Sequence, residues 1–140
     1  MDELKRFLDQ EGVLGVVRSV TGDTRIFKRR GVIDLYTLLA HEPDFMRGAT
    51  MADKVIGRGA ALLLVKGGVA EVYARLVSSS AIEVLRASDV TVTFDKEVEH
   101  IINRDATDIC PVEKLTSSIS DPDEACLLIG EFLQKMNNNK

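Results

Sequence analysis

The sequence predicts an α/β protein: a three-layer α/β/α sandwich around a mixed sheet of about five strands. Two observations predict this class. Two segments rich in β-formers, at 13–20 and 24–29, flank the turn sequence T-G-D and indicate an antiparallel hairpin near the N-terminus. Strand-like and helix-like segments then alternate, as in strand–helix–strand units whose right-handed crossovers pack helices onto a sheet. We expect one domain over residues 1–136, followed by a flexible tail at 137–140.

The first three predicted helices follow from apolar residues at helical spacing. Residues 2–11 form a short helix that Gly12 ends, and residues 32–39 form a second that Pro43 interrupts. The third spans 50–65, where Thr50-x-x-Asp53 has the pattern of a capping arrangement before a run that is apolar almost all round. Because so much of its circumference is apolar, we expect a homodimer or higher homo-oligomer.

The second half of the chain continues the alternation. Residues 69–77 read as a strand, Ser80-x-x-Glu83 caps a helix, residues 90–94 alternate as a strand does, and residues 98–102 form a fifth strand. The last helix begins at Asp121-Pro122-x-Glu124.

Charge and composition exclude several classes of partner. The formal net charge is −4 and the isoelectric point is near 5.2, which argues against a nucleic-acid partner because phosphate binding needs a basic surface. The run Lys28-Arg29-Arg30 is a solvated turn, with an anion contact as the alternative. The sequence shows neither an apolar stretch that could span a membrane nor a secretory signal, so we expect a cytoplasmic protein without a membrane partner.

Residues 103–114 concentrate hydrogen-bonding side chains around one thiol. Cys110 lies among seven of them: Asp108 and the six candidate binding residues Asn103, Arg104, Asp105, Thr107, Glu113 and Lys114. The segment follows a predicted strand, and ligands of open α/β sheets bind at the carboxyl ends of strands. We expect these six residues to bind a polar or anionic small molecule. The alternative is a set of turn-forming residues and surface pairs.

Cys110 is the candidate nucleophile. Pro111 and Glu113 place it at the start of a helix, where unpaired N–H groups and the helix dipole favour the thiolate. The alternative is a small buried residue that begins a helix. Cys126 lies on the apolar stripe of the last helix, and we expect it in the core.

Asp53 is the second candidate catalytic residue, and Lys54 beside it is a candidate binding residue. At the start of a helix both would lie near an anion-binding terminus, although capping alone also explains Asp53. We expect no metal site and no cofactor, because the two histidines and two cysteines lack zinc-site spacing. The glycines at 57–59 and 66–68 lack a phosphate-binding context, and the serines at 78–80 are weak candidates for a catalytic triad.

Two long stretches carry a resemblance to a known family. GATMADKVIGRGAALLLVKGGVAEVYARLVSSSAIEVL and HIINRDATDICPVEKL resemble domain-of-unknown-function family 1893, with similarity over roughly residues 5 to 130. The resemblance implies a cytidine-deaminase-like fold and no established activity. Zinc deaminases carry H/C-A-E and P-C-x-x-C at two helix starts. Met51-Ala52-Asp53 and Ser78-Ser79-Ser80 correspond to those motifs here, so the resemblance implies that the zinc ligands are missing.

These observations leave two classes of function. The first is a zinc-independent, cysteine-dependent enzyme that uses Cys110 with Asp53 or Asp105 as the proton-handling group. The second is a module that binds a small, nucleotide-like or anionic ligand without chemistry, or that only assembles oligomers. We expect a small-molecule site.

Overall fold

The computed structural model of the protein describes residues 1–29, 31–102 and 110–138. The helices within these ranges are α1 (Asp2–Phe7), α2 (Ile33–His41), α3 (Arg58–Gly67), α4 (Ser79–Ala87), α5 (Pro111–Leu115) and α6 (Pro122–Asn138). The strands are β1 (Gly15–Arg18), β2 (Thr24–Phe27), β3 (Thr50–Ile56), β4 (Glu71–Ser78) and β5 (Thr91–Val98).

The five strands form one mixed sheet in the order β2-β1-β3-β4-β5. Strand β1 runs antiparallel to β2 and β3, whereas β3, β4 and β5 are mutually parallel. The predicted N-terminal hairpin and five-stranded mixed sheet are therefore confirmed. Because β3, β4 and β5 step across the sheet in one direction, right-handed crossovers bring α3 and α4 to the same face.

The two faces of the sheet are covered unequally. The larger buried cluster joins the sheet to α2, α3, α4 and α6, with α5 packed against it. The smaller cluster lies on the opposite face and is built around α1; its buried members are Leu4, Leu8, Val13, Val16, Ala52 and Tyr73. The described helix on that face is thus only six residues long, so the predicted three-layer sandwich is not confirmed.

The prediction of a helix over 50–65 is wrong in its first half. Residues Thr50–Ile56 form the central strand β3, and the helix begins only at Arg58. Pairing with β1 and β4 on both sides satisfies the backbone of this segment, and tertiary context of this kind overrides a local capping pattern. Thr50 and Asp53 therefore do not cap a helix.

Other predicted boundaries shift by a few residues. The strand predicted at 90–94 is β5 and continues to Val98, so the prediction of a separate strand at 98–102 is wrong: of these residues only Val98 belongs to a strand. The cap of α4 is Ser78, whose Oγ accepts a hydrogen bond from the N–H of Ala81 at 3.2 Å. Helix α1 ends at Phe7, earlier than expected.

Helix α3 is buried within the chain. Its residues Ala61 to Leu64 are all at most 1% exposed. A Cβ on Gly59 would lie 2.4 Å from Val112 Cγ1 of α5, and one on Gly67 would lie 3.0 Å from Leu39 Cδ2 of α2. The apolar circumference that motivated the expected oligomer is thus covered by the chain's own helices.

Candidate functional site

Polar groups collect at the edge of the sheet where β3, β4 and β5 end. Strand β3 passes through Gly57 into α3, and the last residue of β4, Ser78, is also the N-cap of α4. In open α/β sheets this carboxyl-end edge is the usual place for a ligand. We call it the carboxyl-end edge.

Asp53 lies in β3 shortly before this edge and departs from ordinary ladder pairing. It is paired with Gly15 of β1 and Ala74 of β4. Its Oδ1 accepts a hydrogen bond from the N–H of Val55 at 3.1 Å, two residues further along the same strand. A side chain that bonds its own backbone competes with regular strand structure. The alternation is indeed interrupted here, because Met51 and Ile56 both belong to the larger core cluster.

The surroundings of Asp53 keep its carboxyl group partly protonated at neutral pH. Burial raises the pKa of Asp53 to about 7, although hydrogen bonds from the backbone N–H groups of Val55 and Lys54 act in the opposite direction. A Cβ at Gly15 would lie 3.0 Å from Asp53 Oδ2 and 3.4 Å from Phe27 Cδ2. The carboxyl group and the aromatic ring therefore flank the same stretch of bare backbone.

Glu113 is buried at the junction of α5 and α3. Its side chain is 5% exposed. The carboxylate accepts hydrogen bonds from the N–H of Arg58 at 3.2 Å and from the N–H of Ile101. Since Arg58 is the first residue of α3, Glu113 caps that helix from a different element. Glu113, a predicted binding residue, thus joins α5 to the start of α3 and to the segment after β5.

Arg58 is a residue that the sequence analysis missed. Its guanidinium donates to the carbonyls of Thr116 and Ile119 and, at 2.7 Å, to Ser80 Oγ at the start of α4. Arginine suits such a junction because its donors form a rigid planar fork. The sequence signal was present in G-R-G at 57–59, where a cation stands between two glycines at a helix start.

Cys110 is placed as predicted, immediately before Pro111 at the start of a helix. That helix, α5, has only five residues, and the thiol makes no capping hydrogen bond. The backbone N–H of Cys110 donates to the carbonyl of Ile101 at 2.8 Å. Its side chain is partly exposed. Because so short a helix has only a small dipole, the dipole gives little support for an activated thiol at Cys110. The remaining support is that the thiol is partly exposed.

Cys126 packs against the larger core cluster from α6, close to its predicted place, although it is only partly buried. Burial raises the pKa of its thiol, with nearby Lys66 acting against the rise and Asp123 adding to it. This thiol is therefore held in the protonated, weakly nucleophilic form.

The structure brings only part of the predicted site together. Glu113 of α5 accepts a hydrogen bond from the first residue of α3, so α5 and its N-cap Cys110 lie near the start of that helix. Lys54 is partly buried in β3, and Lys114 is exposed on α5. The remaining predicted binding residues, Asn103, Arg104, Asp105 and Thr107, lie outside the described residues, as does Arg30 of the basic run.

The implied correspondence with the zinc deaminase motifs changes at one of its two positions. Met51-Ala52-Asp53 lies inside a strand, whereas the helix that follows starts at Gly57 and Arg58. Ser78-Ser79-Ser80 does stand at a helix start. In the part of the chain that the structure describes, groups of three or more His, Cys, Asp or Glu side chains arranged to hold a metal ion are absent.

Two open cavities lie outside the immediate surroundings of Asp53. One, of about 360 Å³, is formed by the β1–β2 turn and the loop after α2, including Val20 and Phe45. The other, of about 260 Å³, lies between α3 and α4 beside Arg58 and includes Glu83 and Val84.

Over the described residues, none of the helices combines the length and hydropathy needed to cross a membrane.

The chain is thus a mixed α/β protein with a hairpin, three parallel strands and a polar carboxyl-end edge. The family described as "Domain of unknown function (DUF1893)" matches residues 3–133. The chain belongs to the DUF1893 family, which confirms that part of the resemblance.

A solved structure agrees with this assignment. The crystal structure of a DUF1893 family protein from Thermotoga maritima is similar to this chain with a TM-score of 0.82 and 21% sequence identity, over 94% of this chain and 90% of that chain. At this identity the likeness shows a shared fold alone. A comparison with curated proteins finds no match.

Proposed function

We propose that this protein binds a small polar molecule at the carboxyl-end edge and that Asp53 exchanges a proton with it. One observation carries the proposal: a carboxyl group with a pKa near 7 lies on a central strand, where the parallel strands end. A carboxyl group in this state is able to act as a general acid or base at neutral pH. Structural carboxylates are usually paired with a cation, and among the described residues Asp53 forms no ion pair.

Amide chemical shifts test the location of the site. Cytidine, adenosine and their 5′-monophosphates, titrated into labelled protein, should shift the amides of Gly15, Val55 and Ser79. Shifts confined to Val20 and Phe45, or to Val84 and its neighbours on α4, would assign binding to one of the two open cavities instead. Asp53→Asn should weaken or abolish the shifts at Gly15 and Val55. Asp2→Asn, which alters an exposed carboxylate on α1 at the other face of the sheet, is the matched control.

Cys110 is the second reactive group of the proposal. Its support is the partly exposed thiol at the start of α5 and the link from α5 to the start of α3 through Glu113. In this proposal Asp53 handles the proton and Cys110 is a reactive thiol at the same edge, which makes a cysteine-dependent enzyme the first candidate. A module that binds its ligand without chemistry is the second.

The finer fold class, a cytidine-deaminase-like sandwich, is also a proposal. The mixed sheet, its hairpin and the helix starts of α3 and α4 at one edge support it. The remaining alternative is that the protein only assembles oligomers. Because the chain's own helices cover α3, such an oligomer would have to form through a surface other than α3. Light scattering at tens of micromolar protein tests it, because a purely structural oligomer must be larger than a monomer.

A further inference from the structure

We infer that the molecule bound beside Asp53 presents a positive charge or paired N–H donors, as an amine, an amidine or a nitrogen heterocycle does. This inference rests on the proposed function and narrows it. It replaces the broader expectation of a polar or anionic ligand with one chemical class.

The two oxygens of Asp53 are used differently. Oδ1 accepts the backbone N–H of Val55. Oδ2 lies beside the bare backbone of Gly15, where an added Cβ would be 3.0 Å away. The ionised carboxylate, which prevails above about pH 7, only accepts hydrogen bonds. The open group at this position is therefore an acceptor, and its natural complement is an N–H donor of the ligand.

The residues that face Asp53 do not supply a compensating charge. Gly15 of β1, Phe27 of β2 and Ala74 of β4 are uncharged. Lys54 is adjacent in sequence, but it acts on the carboxyl group of Asp53 through its backbone N–H and not through its charge. A ligand cation would provide the missing partner and stabilise the ionised carboxylate, whereas a ligand anion would face a like charge.

Arg58, a cation at this edge, is already engaged by protein groups. The guanidinium of Arg58 donates to the carbonyls of Thr116 and Ile119 and to Ser80 Oγ. The other nearby acid, Glu113, is satisfied by two backbone N–H groups. Within the described residues the edge thus offers an open acceptor at Asp53 while its arginine is bound to protein groups.

A matched set of ring compounds tests the inference on the full chain. Benzamidine, benzamide and benzoate share one ring and carry a cationic, a neutral and an anionic group. At about pH 8, we expect benzamidine to shift the amides of Gly15 and Val55 and to bind about tenfold more tightly than benzamide, because charge-assisted hydrogen bonds are the stronger ones. Benzoate should leave both amides unchanged.

Two controls keep the result unambiguous. Asp53→Asn should remove the preference for benzamidine, and Asp2→Asn should retain it. If Asp53→Asn does not fold, the unmodified protein at about pH 5, where the carboxyl group is protonated, should show the same loss of preference.

The outcomes separate the inference from the proposed function. Binding of benzoate at Gly15 and Val55 in preference to benzamidine would overturn the inference and leave a small-molecule site in place. Equal binding of benzamidine and benzamide, unaltered in Asp53→Asn, would also overturn it. If the nucleosides and all three ring compounds leave these amides unchanged, the proposed function fails, and the inference fails with it.

Discussion

At the scale of single residues, we expect the variant Asp53→Asn to be more stable than the native protein at neutral pH. Its folded-state pKa is raised to about 7. The unfolded chain therefore loses this proton at lower pH than the folded chain does, and stability falls as pH rises from the unfolded pKa to about 7. We expect Asp53→Asn to stabilise the protein by about 2–4 kcal/mol at pH 8 and by much less at pH 4, measured by denaturant unfolding.

Asp34 is the control with the opposite sign. Burial favours its neutral form, but hydrogen bonds from Arg29 and Lys28 outweigh burial and lower its pKa. Its stabilising contribution is present above the unfolded pKa and is lost as pH falls through the folded value. Asp34→Asn should therefore destabilise the protein at pH 8 by about 1–2 kcal/mol. Equal pH profiles for the two variants would contradict the assignment of Asp53.

The two cysteines should differ in reactivity. Cys110 is partly exposed at the start of a short helix, while burial raises the pKa of Cys126 and keeps its thiol protonated. Iodoacetamide should alkylate Cys110 first, and Cys110→Ser should remove the fast phase with little loss of stability, since serine also begins helices well. Mass spectrometry of digests at successive times gives both rates. Alkylation of both cysteines at one rate would remove the support for a reactive Cys110.

At the scale of elements, the contact between α3 and α5 should be intolerant of one added methyl group. Alanine favours a helix over glycine by about 1 kcal/mol, but at Gly59 its Cβ would lie 2.4 Å from Val112 Cγ1. Overpacking of this kind costs about 1–3 kcal/mol, so we expect Gly59→Ala to be net destabilising in thermal or denaturant unfolding.

A double-mutant cycle isolates the cause. Val112→Ala removes the clashing Cγ1, so Gly59→Ala should cost less in that background, with a coupling energy above about 0.5 kcal/mol. Additive effects of the two substitutions would show that the close approach of α3 and α5 is not the reason for the glycine.

The elements show what a single sequence can and cannot predict. The hairpin, strand β4 and the Asp121-Pro122 helix start have local signatures, and the structure contains each of them. Residues 50–56 were misassigned because Thr50 and Asp53 imitate a cap, whereas their strand is fixed by partners far away along the chain. Gly57 and Gly59 lie where Glu113 and Val112 of α5 approach the backbone closely, which the sequence alone does not show.

The residues of the candidate site, like the helices and strands, were predicted only in part. The sequence analysis chose Asp53 because it was expected at the start of a helix. The structure places it inside a strand, and it remains a candidate because burial raises the pKa of its carboxyl group, an effect that the sequence alone does not show. Arg58 was missed because its partners Thr116, Ile119 and Ser80 come from separate segments. Long-range hydrogen bonds of this kind leave no periodic pattern in a sequence.

At the scale of the whole molecule, we expect the purified protein to hold no zinc. The starts of α3 and α4 present Gly57, Arg58 and three serines, and none of these is a usual zinc ligand. Elemental analysis of protein prepared in metal-free buffer should give well below one zinc per chain. A stoichiometric zinc ion would restore zinc chemistry as the leading hypothesis and would require ligands other than these.

The unequal covering of the sheet has a consequence for how the molecule opens. Helix α1 is held by the smaller cluster, in which Leu4 and Leu8 contact the sheet, while β3 is paired on both sides and covered by the larger cluster. Native-state hydrogen exchange should therefore detect two classes of amide. Those of α1 should exchange through a local opening that leaves the rest of the chain folded. Those of β3 should exchange only when the whole protein unfolds, and added denaturant should accelerate them far more steeply.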